Sequence, residues 1–363
     1  MKNGYITMRS TTFGALLLAG TVLTSVGAQA ADGIAKGDTS GKTIAFSNSY
    51  AGNSFRQVMI RSFEETGAQA AKDHLIKSTA VVSANNSVTE QASQIQNLIL
   101  QGYSAIVVLA GSDTALNGVV KDACDAGIVV VAFASGVTEP CAYRVDYDLD
   151  SYGKAELDYL AGRLGQGPEN LLEIRGAAGD GFDKRLHAGV EKAMKDHPTF
   201  KIVNEVYGAW TSTVAQKEVS GVLPSLPKID GVLTQGGDGY GAAMAFEGAG
   251  RPLPIIVMGN RQDELALWKK QHQSNGYETM SLGATPSVSQ VAFWVAQQIL
   301  AGKQVPKFVE VPLLRIDQGD LDAWLAKVPE GGVVNATYDQ PLVADIIDAN
   351  VDHKPLPGVP APK

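Results

Sequence analysis

The sequence predicts an α/β chain whose strands form doubly wound parallel sheets, arranged in two sets. Two observations carry this. Short, nearly continuous apolar runs recur, as expected of strands covered on both faces, and each is followed by a segment with apolar residues at helical spacing. Repeated βα units of this kind imply right-handed crossovers and a parallel sheet.

The first set opens with "TIAFS" (43–47) and a helix over 54–71 that places Phe55, Val58, Met59 and Phe63 on one face. "STAVVS" (78–83) is the second strand, and 88–101 the second helix, with Val88, Ala92, Ile95, Leu98 and Ile99 aligned. "AIVVLA" (105–110), a helix near 116–126 and "GIVVVAFA" (127–134) complete the set. The second set starts beyond "RVDYDLDSYG" (144–153). It reads as a helix over 154–164, the strand "NLLEIRG", a helix over 183–195, then the strands "KIVNEV", "GVLTQ", "PIIVMG" and "TMSLGA" with helices between. A helix over 288–300 and the run "FVEVPLL" (308–314) follow. The Pro-rich tail, 351–363, is expected to be extended and mobile.

The first thirty residues stand apart from the fold. Lys2 and Arg9 precede an apolar stretch, 13–26, that ends in "AQA" (28–30), the pattern of a secretory signal peptide cut after Ala30. Met8 is an alternative start that keeps Arg9. A membrane anchor fits less well, since the run is short of the roughly 18–20 residues needed to span. The expected location is therefore extracytoplasmic, in the periplasm. Removing Lys2 and Arg9 from the 30 basic residues leaves 28 against 38 acidic ones, a formal charge of −10. That balance, without basic clusters, argues against a nucleic-acid partner.

Cys124 and Cys141 are the two cysteines. In an exported chain an even count at short separation favours a disulfide over two buried free thiols. Without a CxxC or clustered histidines, no metal is expected.

Ligands of open α/β sheets bind outside the carboxyl ends of the strands, so the loops after each strand carry the function. Here they share a character: "SNSYAGNSFR" with Tyr50, Asn53, Phe55 and Arg56; "ANNS"; "GSDT"; "SGVTEP" after Phe133; "GAAGDGFDKR"; "YGAWTST"; "GGDGYG"; and "GNRQDE". Amides, hydroxyls, single charges and aromatics recur, with glycines that let backbone approach. Catalytic patterns are missing: no HExxH, no GxSxG elbow, and "GAAGDG" is neither a dinucleotide fingerprint nor a P-loop. Asp146, Asp148 and Asp150 alternate as in a strand edge or hinge and do not complete an EF-hand loop. Binding is favoured over catalysis, and no cofactor is expected.

Taken in order, "NSF" (53–55), "QNLILQGYSAIVVLAGSDTAL", "GIVVVAF", "GAAGDGFDKRLHAGVEKAM" and "GVLTQGGDGYGAAMAFEGAG" resemble the periplasmic sugar-binding proteins of ABC transporters, ribose/galactose-binding (type I) group, over about 43–314. The resemblance implies two lobes joined by a three-crossing hinge near 147–149, 284–286 and 313–316. The first lobe would be 43–147 with 286–313, and the second 148–285 with 314–350. It implies a non-catalytic clamp that closes on a small carbohydrate and presents it to ABC permease subunits of the inner membrane, as a monomer. The alternative is a periplasmic sensing module that hands its closed form to a chemoreceptor or sensor kinase.

The resemblance also implies roles for particular residues. Phe55 and Trp210 match the two aromatic walls, with a core position as the alternative for each. Asn53 is an N-cap, a ligand contact or both. Arg56 stands where the ribose binder has another aromatic, and a surface cap is disfavoured because cations sit poorly at helix N-termini. Phe133 and Ser135 close the fourth strand, and Ala134–Ser135 replaces an Asp-plus-polar pair of many relatives. Asp183, Lys184 and Arg185 compete for one contact, with Arg185 favoured. Gln235 and Asp238 sit in the glycine loop, and Asn260 and Arg261 follow "PIIVMG". Arg261 departs from the acidic residue that relatives often carry. Cationic candidates raise a minority expectation of an acidic sugar.

Overall fold

In the first lobe the elements alternate without exception up to Phe133. The order is β1 (Thr43–Asn48), α1 (Ser54–Lys72), β2 (Ser78–Ser83), α2 (Val88–Leu100), β3 (Ala105–Leu109), α3 (Asn117–Asp125), β4 (Val129–Phe133) and then β5 (Tyr143–Asp146). The second lobe follows with α4 (Leu149–Leu164), β6 (Glu169–Arg175), α5 (Gly181–Ala193), β7 (Phe200–Tyr207), α6 (Ser212–Val222), β8 (Gly231–Thr234), α7 (Gly239–Gly248), β9 (Ile255–Ile256), α8 (Gln262–Asn275) and β10 (Ser281–Gly283). The remainder is α9 (Val288–Leu300), β11 (Phe308–Glu310), β12 (Leu314–Ile316), α10 (Leu321–Leu325) and α11 (Gln340–Asp352). This computed structural model describes residues 33–165 and 167–361, with Met1. The signal-peptide reading therefore lies outside the described residues.

Two parallel sheets organise the chain. One has six strands in the order β11-β5-β4-β3-β1-β2, and the other four in the order β7-β6-β8-β9. The apolar runs explain the burial: all five residues of β3 are buried, as expected for a central parallel strand covered on both faces. Under the first sheet Phe46 meets Phe63 and Phe133 at 5.2 and 5.4 Å between ring centres, and Phe63 meets Phe293 edge-on at 5.6 Å. Burying four such rings is among the largest single contributions to this core.

Helix starts follow side-chain chemistry. Asn53 accepts Arg56 N at 2.9 Å to begin α1, Ser87 accepts Glu90 N to begin α2, and Asp148 accepts Ser151 N to begin α4. The sequence placed α4 and α5 too late. Asp148 starts α4 at Leu149, and Asp180 starts α5 at Gly181, accepting Phe182 N at 2.7 Å. The run "FVEVPLL" splits in two, because Pro312 has no N–H to give a ladder. β11 joins the first sheet and β12 pairs antiparallel with β10.

The chain leaves the first sheet after Asp146, returns with α9, and departs again between β11 and β12. It then crosses a fourth time. Residues 332–334 lie on the second lobe, where Gln262 N bonds Gly332 O and Val334 N bonds Asn260 O. Asn335 instead bonds Ser62 Oγ at 2.9 Å, Trp294 Nε1 bonds Tyr338 O at 3.1 Å, and Glu310 N bonds Asn350 Oδ1 at 2.8 Å. α11 therefore packs on α9 and β11, not in the second lobe where the sequence reading put 314–350. The tail through 361 has no regular structure, yet Val359 packs against the buried core and so holds it to the body.

The cysteines are joined as Cys124–Cys141, closing a separation of 17 residues. The bond ties the end of α3 to the segment entering β5.

Candidate functional site

Between the two sheets lies a cavity of about 100 Å³. It sits at the carboxyl ends of the parallel strands, where such folds place ligands. One wall comes from the start of α1, through Asn53, Phe55, Arg56 and Met59, with Leu109, Ala134 and Ser135 from the ends of β3 and β4. The facing wall is Phe182, Trp210, Gln235, Asn260 and Arg261.

Trp210 is held there by strain and close packing. Ala209 and Trp210 are both left-handed, at φ 53° and 52°, a conformation that costs roughly 1–2 kcal/mol for each L-residue. Thr211 N bonds Asp238 Oδ1 at 3.0 Å and Ala209 N bonds Gly176 O at 3.2 Å, fixing the turn on both sides. The indole lies so close to Gly176 that a Cβ at that position would collide with it. Phe182 meets Trp210 edge-on at 6.4 Å.

Behind this wall is a polar network. Asp183, fully buried, accepts Arg175 Nε at 3.1 Å and Nη2 at 2.7 Å, and also Gly176 N at 3.0 Å. Gln235 closes the ring: its Oε1 accepts Gly176 N at 3.0 Å and its Nε2 donates to Asp183 Oδ1 at 2.9 Å. This fork-to-carboxylate pairing gives the wall a fixed geometry.

Arg261 donates Nη2 to Trp210 O at 2.8 Å and Nη1 to Ser54 Oγ at 3.4 Å, a contact that spans the two lobes. Asn260 Nδ2 donates to Ala284 O at 2.8 Å. Asp238 and Glu264 are buried behind Arg261, and burial pushes both carboxyls up, Asp238 well above the usual range, with Arg261 pulling the other way.

Arg56 differs from Arg261. Its Nη1 is buried and has no hydrogen-bond partner among the described residues. Burial draws its pKa down to about 10, opposed by the nearby Asp180 and Tyr50, so it stays charged at neutral pH.

Of the sequence-predicted residues, Asn53, Phe55, Arg56, Ser135, Trp210, Gln235, Asn260 and Arg261 come together on the cavity. The remaining candidates do not line it. Phe133 belongs to the aromatic core beneath the sheet. Asp183 is turned inward by Arg175, and Asp238 is spent on Thr211 N. Arg185 reaches across to the carboxylate of Asp146 and to Ala134 O at 2.7 Å. Tyr50 lays its ring against Gly52, and its carbonyl accepts Asn48 Nδ2 at 2.8 Å. Lys184 is exposed. Phe182, Met59 and Leu109 were not singled out by sequence. Phe182 alone carried a signal, as the aromatic one residue into a helix that Asp180 can cap.

The chain matches the family model described as "Periplasmic binding protein domain" over residues 44–304. It is 33% identical to an ABC transporter solute-binding protein of Thermobispora bispora, with a TM-score of 0.80 over 88% of this chain and 99% of that one. It is also 32% identical over 187 residues to a xylitol-binding protein of Mycolicibacterium smegmatis, covering 50% of this chain. A D-ribose/D-allose-binding protein of Pseudomonas aeruginosa is 32% identical over 208 residues, 54% of this chain. The matched stretches span 53% and 64% of those two relatives, so about half the length of the first. The fold, the cavity at the strand ends and the family match converge: the chain belongs to the periplasmic binding protein domain family, whose members bind solutes without catalysing a reaction.

Proposed function

We propose that this protein is an extracytoplasmic solute-binding protein that closes on a small carbohydrate, a sugar or polyol, and delivers it to the permease subunits of an ABC importer. The observation that carries the reading is the cavity itself: aromatic faces at Phe55, Phe182 and Trp210 frame a space edged by amides and guanidinium groups. Sugars present apolar C–H faces to aromatics and hydroxyls to bidentate amides and guanidinium groups. The likeness to binders named for xylitol, ribose and allose supports the ligand class.

The ligand contacts in this reading are Asn53, Phe55, Arg56, Ser135, Phe182, Trp210 and Asn260, with Gln235 and Arg261 holding the wall. The moving bodies are 43–147, 286–313 and 335–352 on one side, and 148–285 with 314–334 on the other. Closure removes water and couples hinge motion to binding. Export follows cleavage after Ala30, and the mature chain acts as a monomer.

A thermal-shift panel of pentoses, hexoses, polyols and sugar acids tests it. A ligand at 100-fold its Kd adds about 2.7 kcal/mol of stability. A clear rise in melting temperature with at least one carbohydrate is expected, and no rise with any of them would overturn the reading.

A further inference from the structure

Among the described residues, no Asp or Glu side chain lines the cavity, whereas two guanidinium groups do. Its acceptors are largely spent within the protein. Gln235 Oε1 takes Gly176 N, Asn53 Oδ1 takes Arg56 N, Trp210 O takes Arg261 and Ala134 O takes Arg185. Asn260 Oδ1 is the acceptor that keeps no hydrogen bond among the described residues, and the rest of what is left over is donor capacity, above all the buried Nη1 of Arg56.

The balance matters for ligand chemistry. Every hydroxyl of a neutral sugar brings a proton that needs an acceptor, while a carboxylate brings acceptors only. A buried cationic donor with no partner carries a desolvation cost that an anionic ligand removes. Asp180 and Tyr50 face Arg56, but neither hydrogen-bonds its guanidinium. Asp180 Oδ1 is occupied by Phe182 N and Asp183 N, and its Oδ2 lies 3.5 Å from Ser135 Oγ. Arg261 is already engaged with Trp210 O and Ser54 Oγ, and backed by Asp238 and Glu264. The two cations therefore have different jobs: Arg261 holds the wall, and Arg56 is open to a ligand.

We propose that the cognate ligand is a carbohydrate bearing a carboxylate, an aldonate or uronate of monosaccharide size, received by the Arg56 guanidinium. This rests on the carbohydrate reading above and narrows it.

Calorimetric titration of the mature protein with xylonate, ribonate, gluconate and galacturonate, each beside its neutral parent sugar, sugar phosphates and xylitol, tests it. At least one acid should bind about 100-fold tighter than its neutral parent, the scale expected for a charge-assisted pair in a desolvated site. Arg56→Gln should erase that preference, and Arg56→Lys should keep part of it. A neutral sugar or polyol that binds more tightly than every acid overturns the inference and leaves the carbohydrate reading intact, as does a preference for a sugar phosphate. Absence of binding by all of them overturns the reading beneath it as well. The wild-type comparison stands even if a variant fails to fold.

Discussion

Arg185, on the second lobe, donates Nη2 to Ala134 O of the first lobe at 2.7 Å and pairs Nη1 with the buried carboxylate of Asp146 at the end of β5. This latch joins the lobes without lining the cavity. Asp146 keeps other partners, Arg144 Nη2 at 3.0 Å and Tyr147 N at 2.9 Å, so it is not orphaned when Arg185 is removed. Arg185→Ala should therefore leave the melting temperature of the free protein nearly unchanged and lower ligand affinity by about tenfold, by depopulating the closed form. Titration calorimetry reads the affinity, and small-angle scattering should show a larger radius of gyration for the ligand-free variant. Unchanged affinity would reduce the pair to a surface ornament of the hinge.

Gly176 is the position where the site and the fold press hardest on each other. A Cβ there would meet the Trp210 indole and sit 2.7 Å from Gln235 Oε1. Gly176→Ala should displace the aromatic wall and weaken binding at least as much as Trp210→Ala, by about 2–4 kcal/mol on the scale of buried aromatic anchors. Equal affinity in Gly176→Ala and wild type would mean that the indole is not part of the ligand's wall.

Neither Cys124 nor Cys141 lines the cavity, and their bond closes a short loop. Its removal in Cys124→Ser/Cys141→Ser should cost about 3 kcal/mol of stability through the unfolded chain, with ligand affinity preserved. Urea unfolding and a ligand titration on the same variant separate the two effects.

A pH dependence is built into the second lobe. Burial raises Glu173 from 4.5 to about 6, although His187 Nδ1 lies 2.9 Å from its Oε1 and Arg175 favours its charge. Glu205 opposes that charge. A carboxyl whose folded value is raised stabilises the fold when protonated, so its contribution is full below about 4.5 and lost as pH rises through about 6. The loss is about 2 kcal/mol. Glu173→Gln should flatten this part of the stability profile between pH 4.5 and 7 in thermal or urea melts. An unchanged slope would assign the dependence to other groups.

Much of this was legible because it rests on local chemistry. Continuous apolar runs marked the strands, and Asn53 announced the start of α1. The loops after the strands follow from the sheet's polarity, and the resemblance to sugar binders singles out Phe55, Arg56, Trp210 and Asn260 within them. What failed depended on contacts between distant segments. Asp183 reads as a ligand contact until Arg175 turns it inward, and Arg185 until Asp146 captures it. Phe182 stays hidden in a sequence reading that begins the helix at Asp183, because the Asp180 cap starts it at Gly181 and turns that face toward the cavity. The fourth crossing at 334–335 has no sequence mark of its own. It follows from Asn335 bonding Ser62 and from α11 finding its apolar partner on α9.

The cavity between the lobes is the proposed ligand site. A crystal structure with the tightest ligand of the titration panel tests it most directly. The ligand should be enclosed by Phe55, Phe182 and Trp210, with an oxygen within hydrogen-bond distance of the Arg56 guanidinium. A ligand bound elsewhere, for example in the groove between α1 and residues 324–335, would contradict it.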